Sequence, residues 1–357
     1  MGAPSSSAEF TIPDLLANWP WHSSVNPHLD DVRDDVNAWV ESFALFKPGK
    51  FEKFKACDFN LLAALLGPIE SQGHLRICCD LMSFYFAFDE YTDLVTREEA
   101  MKISEGVMST FRNTDMLTNN KIDEMARQFF KRTLEVVGDD TPGIDRFIVD
   151  FNAYTTSMIQ EADDRNAGLI RSVTDYLVLR RDTCGGKPCF SFFGLGLNVP
   201  DEVFEHPLVK SMIEAATDFI AITNDMHSYG LEYSRGLDGH NIITSIMNEH
   251  NIGLQEALYW LSGFATATIG KFLSELRNLP SWGKEADKAV NEYFNRVGRC
   301  VRGYDQWSYE TKRYYGEVGL EVQQRRKISL KPRDEAYLTR EQLEFGSAAT
   351  SMPKVLN

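Results

Sequence analysis

The chain reads as an all-α protein folded into one domain. Three observations predict this. Apolar residues recur at three- and four-residue steps along most of its 357 residues. Runs of alternating apolar and polar residues, the signature of half-buried strands, are missing. Pro and Gly cluster between the periodic stretches, where they punctuate helices.

The predicted helices, in order, cover Asp30 to Phe46, Gln72 to Val95, Glu98 to Phe111, Ile122 to Val137, Ile144 to Ala162, Thr174 to Arg181, Pro207 to Tyr233, Gly253 to Leu279 and Lys284 to Gly316. Breaks are expected at Lys47-Pro48-Gly49, Leu66-Gly67-Pro68, Thr141-Pro142-Gly143 and Cys184-Gly185-Gly186-Lys187-Pro188. The stretches from Gln72 and from Pro207 are apolar on more than one face, which suits middle helices surrounded by others. With neither an internal repeat nor a linker, one domain spanning 10–332 is expected. Residues 1–9 are expected to be an N-terminal tail, and 333–357 a C-terminal tail able to fold over an opening.

Composition excludes several function classes. Hydrophobic residues make up 43% and aromatic residues 12%, ample for a large core. A formal charge of −15 and a pI near 5.0 work against nucleic acid or an anionic membrane as partner. No long uncharged apolar run supports membrane insertion, and Met1 to Ser7 lack a secretory pattern, so a cytoplasmic location is expected. The 6 cysteines show neither CxxC nor zinc spacing and read as reduced packing residues. Nothing in the sequence specifies a protein partner.

Two acidic clusters carry the chemistry. Asp89-Glu90-Tyr91-Thr92-Asp93 follows the aromatic run Phe84-Tyr85-Phe86-Ala87-Phe88, and Asn224 to Glu232 ends the apolar stretch Phe219 to Ile222. Carboxylates are costly in apolar surroundings unless they are paired or hold a metal. On a helix, Asp89 and Asp93 lie one turn apart with Glu90 beside them, and Asn224, Ser228 and Glu232 share one stripe. Oxygen-only ligands suit a hard cation such as Mg²⁺, which is held by carboxylates together with substrate phosphates. The string Asp30-Asp31-Val32-Arg33-Asp34 has similar letters but opens a helix, where the N-terminal dipole favours acids. Among 52 acidic residues such a string is a decoy.

These residues resemble the class I terpene cyclases, in which an Asp-rich motif precedes an Asn-Ser-Glu motif. Arg180-Arg181-Asp182-Thr183-Cys184-Gly185 is similar to the family's diphosphate-sensing segment, with Arg181 or Arg180 as sensor and Gly185 at the helix break. Arg235 sits where the family carries a basic residue, and Trp307-Ser308 with Arg313-Tyr314 resembles its C-terminal Arg-Tyr pair. The likeness spans nearly the whole chain and is greatest to fungal, mushroom-type sesquiterpene synthases. Glu90 stands where many relatives have Asp.

The resemblance implies a helical bundle around a central apolar cavity and a lyase that ionises farnesyl diphosphate, cyclises the cation and releases diphosphate. Three Mg²⁺ ions are expected, held by Asp89, Glu90 and Asp93 on one helix and by Asn224, Ser228 and Glu232 on another. Arg181, Arg235, Arg313 and Tyr314 are expected to bind the diphosphate, and Tyr85, Phe86 and Trp307 to wall the cavity and stabilise cations with their ring faces. Among the products the resemblance suggests is Δ6-protoilludene through 1,11 closure; 1,10 closure to a cadinane or germacrane is the alternative. A chain-elongating prenyltransferase would carry two Asp-rich motifs, and a non-catalytic interaction protein would lose some of these residues. A di-iron bundle would need Glu-x-x-His pairs beside the acids, which are missing.

Overall fold

A computed structural model describes residues 9–334, apart from 93, 94 and 119. In chain order the helices are α1 Leu29–Ser42, α2 Pro48–Ala56, α3 Phe59–Leu66, α4 Gln72–Thr92, α5 Arg97–Arg112, α6 Lys121–Val137, α7 Ile144–Ala167 and α8 Val173–Thr183. There follow α9 Gly186–Phe193, α10 Asp201–Glu205, α11 Pro207–Arg235, α12 Ile242–His250, α13 Leu254–Arg277, α14 Lys284–Glu310, α15 Lys312–Tyr315 and α16 Gly319–Arg325. None of them is long and apolar enough to cross a membrane among the described residues.

The long helices fall where periodicity places them, and local chemistry explains their ends. The Thr96 side chain accepts from Glu99 N while Glu99 reaches back to Thr96 N, a capping box that starts α5. Asn120 caps α6 and Ser172 caps α8 in the same way through one bond each. Helix α11 stops at Gly236, which takes the left-handed conformation (φ 74°).

Several elements differ from expectation. Apart from Asn60, helix α3 is apolar and almost wholly buried, so it has no polar face from which a period could be read. The predicted last helix breaks at Thr311, whose backbone is extended (ψ 146°). The Thr311 hydroxyl donates to Cys57 O at 2.7 Å and accepts from Arg313 N at 3.2 Å, which turns the chain into α15. Two short strands are present, β1 Glu9–Thr11 and β2 Lys327–Ser329, paired antiparallel with Phe10 opposite Ile328. Glu9, assigned to the tail from sequence, is therefore in a strand; three residues are too few for alternation to show.

Helix α14 crosses α3 at close range. A Cβ added at Gly303 would lie 2.2 Å from Leu65 O, so only glycine permits this approach of backbone to backbone. Phe84, Phe111, Phe129, Phe147 and Phe151 form a fully or nearly fully buried aromatic core joining α4, α5, α6 and α7. Truncating one of these rings to Ala costs about 3–5 kcal/mol. This core is the rigid backing for the face of α4 that carries Tyr85 and Asp89.

Candidate active site

Helices α4, α7, α8, α11 and α14 enclose a cavity of about 580 Å³. Its apolar part is lined by Leu62, Leu66, Met82, Tyr85, Phe86, Tyr154, Phe190 and Ile220, and its polar end by Asp89, Arg180, Asn224, Ser228, Glu232, Arg235, Arg313 and Tyr314. A cavity with one greasy and one charged end fits a ligand of the same two-part character.

The polar end is organised by Arg180. Its Nη2 donates to Asn224 Oδ1 at 2.6 Å and to Asp225 Oδ1 at 3.1 Å, and its Nε donates to the same Asp225 oxygen at 3.2 Å. Asp225 is buried and also accepts from Tyr176 Oη at 2.5 Å and from Ile242 N at 2.9 Å. Burial works against the Arg180 charge, but the Asp225 carboxylate, Tyr176 and Glu161 outweigh it and hold its pKa well above the ordinary value. Asn224 Nδ2 donates in turn to Tyr304 Oη at 2.7 Å and to Tyr314 Oη at 3.1 Å. Thus α8, α11, α14 and α15 meet at one amide.

Glu232 closes the α11 stripe and accepts from Asn241 Nδ2 at 2.9 Å. Burial, with the charge of Asp225 adding to it, raises its carboxyl to about 7. Ser228 is 5% exposed, and its Oγ has no hydrogen-bond partner of good geometry among the described residues. A buried hydroxyl left this way is costly unless something else ligates it. With Asp89, these side chains form an oxygen-only donor set of the kind that hard divalent cations use. No cluster of three or more His, Cys, Asp or Glu stands ready as a cage among the described residues, because Asn224 and Ser228 supply part of the set.

The structure corrects four expectations. Arg181 does not reach the cavity: it points away and pairs with Asp218 at 2.7 Å and Glu214 at 3.2 Å, because neighbouring helical residues are turned by about 100°. Arg180 takes the place expected for it. Glu90 is likewise off the cavity, paired with Lys50 Nζ at 2.9 Å. Burial raises its pKa, but Lys50 and Arg313 outweigh this and leave the carboxyl below its ordinary value. Trp307 is 0% exposed and does not line the cavity; its Nε1 donates to Cys57 O and Asp58 O at 3.1 Å, and its ring backs Phe86 at 5.8 Å and Tyr314 at 5.9 Å. Met82, read as core, lines the cavity. Asp93 lies outside the described residues.

Asp89, Tyr85, Phe86, Arg235, Arg313 and Tyr314 do line the cavity. Phe86 stacks on Phe59 at 3.9 Å with the Arg313 guanidinium 5.1 Å from its ring centre. Gly185 breaks the chain between α8 and α9 with φ 69°, and a Cβ there would meet Tyr85 Cε1 at 3.2 Å. Sequence reasoning missed Tyr304 and Glu161, which no spacing links to the motifs, and gave no individual role to Asp225, which stands inside the second motif, or to His240 in the loop that follows it. His240 Nε2 is 3.2 Å from Glu161 Oε2 and ties the loop after α11 to α7. Arg333 donates to Asp238 Oδ2 in that loop at 2.8 Å and Asp334 N to Ser234 O at 2.7 Å. The expected C-terminal tail lies outside the described residues from 335 onward. The decoy at Asp30 to Asp34 is exposed at the start of α1, with Asp31 bonded to His28 at 3.0 Å.

A bundle with a two-part cavity and this donor set defines a terpenoid cyclase fold, and solved structures agree. An α-eudesmol synthase superposes with a TM-score of 0.75 at 20% identity, covering 82% of this chain and 98% of its own. A hedycaryol synthase gives 0.71 at 21%, covering 85% and 99%. The family model described as "Terpene synthase family 2, C-terminal metal binding" matches residues 80–270. Sesquiterpene synthase Agr8 of Cyclocybe aegerita is 40% identical over 93% of this chain and 94% of its own. A Delta(6)-protoilludene synthase of Stereum hirsutum is 37% identical over 92% and 90%. The chain belongs to terpene synthase family 2, and it is a terpene synthase, a lyase acting on a prenyl diphosphate.

Proposed function

We propose that this chain is a Mg²⁺-dependent sesquiterpene synthase that ionises farnesyl diphosphate and cyclises the resulting cation to a C15 hydrocarbon. The observation that carries the reading is the single cavity that joins Asp89 and the Asn224, Ser228 and Glu232 stripe to an aromatic, apolar chamber. The names of the relatives at 37–40% identity support the sesquiterpene class.

Asp89, Asn224, Ser228 and Glu232 are the residues that would hold the ions. Bound Mg²⁺ supplies Lewis-acid charge neutralisation to a departing diphosphate. Arg180, Arg235 and Arg313 present guanidinium groups to the same end of the cavity, where their planar forks bind phosphate oxygens and stay protonated. Tyr314 offers its hydroxyl beside them. Tyr85 and Phe86 face the chamber as polarisable walls, and the apolar lining keeps water from the cation. The C–O bond breaks with its electron pair leaving on diphosphate, an internal double bond attacks the allylic cation, and a final C–H bond gives up its proton to form an alkene. A cytoplasmic location accords with the free thiols at all 6 cysteines.

The product proposed is Δ6-protoilludene through 1,11 closure, supported by the relatives of that name. Incubation with farnesyl diphosphate and Mg²⁺ or EDTA, followed by gas chromatography and mass spectrometry of the headspace, tests both levels. A Mg²⁺-dependent C15 hydrocarbon is expected. A cadinane or germacrane would overturn the 1,11 assignment alone, and no hydrocarbon from folded protein would overturn the sesquiterpene reading.

A further inference from the structure

Behind the cavity face of α11 lies a polar cluster that the reaction above does not use. The His227 side chain is 0% exposed, with Nδ1 2.9 Å from Tyr315 Oη and Nε2 3.6 Å from Asp305 Oδ1. Tyr309 packs edge-on to the imidazole at 4.5 Å, and Tyr314 lies nearly parallel to it at 6.1 Å. The Asp305 carboxylate favours the proton on Nε2, which leaves Nδ1 to accept from the Tyr315 hydroxyl.

Tyr315 is the residue after Tyr314, and the two are gripped by the same helix from opposite sides. From the cavity side, Asn224 Nδ2 donates to Tyr314 Oη; from behind, His227 Nδ1 accepts from Tyr315. The turn that carries them, α15, is 4 residues long. One turn of helix has no stability of its own, so side-chain anchors must set its pose. Thr311 fixes its start to Cys57, and His227 is the anchor at its far end.

We propose that the His227–Tyr315 hydrogen bond is a positioning device that holds the Arg313–Tyr314 turn against α11, so that diphosphate recognition depends on a residue that never touches the ligand. This rests on the reading of Arg313 and Tyr314 as diphosphate-binding residues. Loss of this part-buried hydrogen bond lets the turn shift and weakens binding of the anion, while the hydrocarbon chamber keeps its shape.

The test is calorimetric binding of inorganic pyrophosphate with excess MgCl₂, together with thermal melts, on Tyr315→Phe, His227→Asn, His227→Gln and Arg313→Met. An Asn amide stands near the Nδ1 position and keeps a partner for Tyr315, whereas a Gln amide reaches toward Nε2 and Asp305. Tyr315→Phe and His227→Gln are expected to weaken pyrophosphate about five- to tenfold, and His227→Asn by less than about twofold, although both His227 variants melt earlier. Parent-like affinity in Tyr315→Phe, or equal weakening in the two His227 variants, would overturn the proposal. If Arg313→Met leaves the affinity unchanged, the reading of Arg313 fails instead; if it weakens binding while Tyr315→Phe does not, that reading stands and only the positioning role falls.

Discussion

Arg180 Nη2 donates to Asn224 Oδ1 at 2.6 Å, so the carbonyl oxygen marked by the sequence as a metal ligand is held here by a guanidinium. The same arginine is anchored to Asp225, the residue next to Asn224. One cation thus spans the helix proposed to hold the ions and the segment expected to sense diphosphate.

Arg180→Met should cost at least about 100-fold in turnover, the scale for losing a fixed donor to developing negative charge. Arg181→Met should cost stability through Asp218 and leave turnover within a few-fold. Steady-state rates and melts on both variants check this; equal losses of turnover would return Arg181 to the site.

Asp89→Ala and Asn224→Ala should abolish hydrocarbon formation in folded protein, as should EDTA. Asp30→Ala and Asp34→Ala should leave it near normal, because those acids face solvent. Circular dichroism confirms the fold in each case. Inactive Asp30 and Asp34 variants would refute the reading of that string as a decoy.

Glu232 predicts a pH dependence. With a carboxyl near 7 against an ordinary 4.5, the metal-free site holds a proton below neutrality that a cation must displace. Apparent Mg²⁺ affinity should therefore rise from pH 6 to pH 8. The raised pKa also means that the folded protein binds more protons than the unfolded chain between those two values. This group's contribution to stability accordingly falls as pH rises through that window. Glu232→Gln should remove that loss, seen as a melting temperature that gains more over the parent at pH 8 than at pH 5.

Phe86→Ala should change the product mixture while keeping the Mg²⁺ requirement, because the ring faces the cavity. Trp307→Phe should lower the melting temperature, since its Nε1 bonds to Cys57 O and Asp58 O are lost, and should shift the mixture less. Product analysis of the two side by side decides which ring is wall and which is backing.

Gly303→Ala should destabilise the protein by several kcal/mol or prevent folding, as its Cβ has Leu65 backbone at 2.2 Å. A melting temperature equal to the parent's would show that α3 and α14 can separate without cost.

The long helices, the helical class and the one-sided stripes of Asn224, Ser228 and Glu232 were legible from the chain alone. These are local properties: a period of 3.6 and a repeat of four place side chains on a face wherever the helix goes. What the sequence could not decide was every question of one turn or less. Whether Arg180 or Arg181 enters the cavity depends on the rotation of α8, which packing against α7 and α11 sets. Trp307 and Phe86 look equally aromatic in sequence, and only the placement of α3 behind them makes one buried and the other a wall. The break at Thr311 and the α15 turn depend on Cys57, some 250 residues earlier in the chain. Spacing along one chain fixes which groups share a helix face; contacts between distant segments fix which face meets the cavity, and those arise only when the bundle closes.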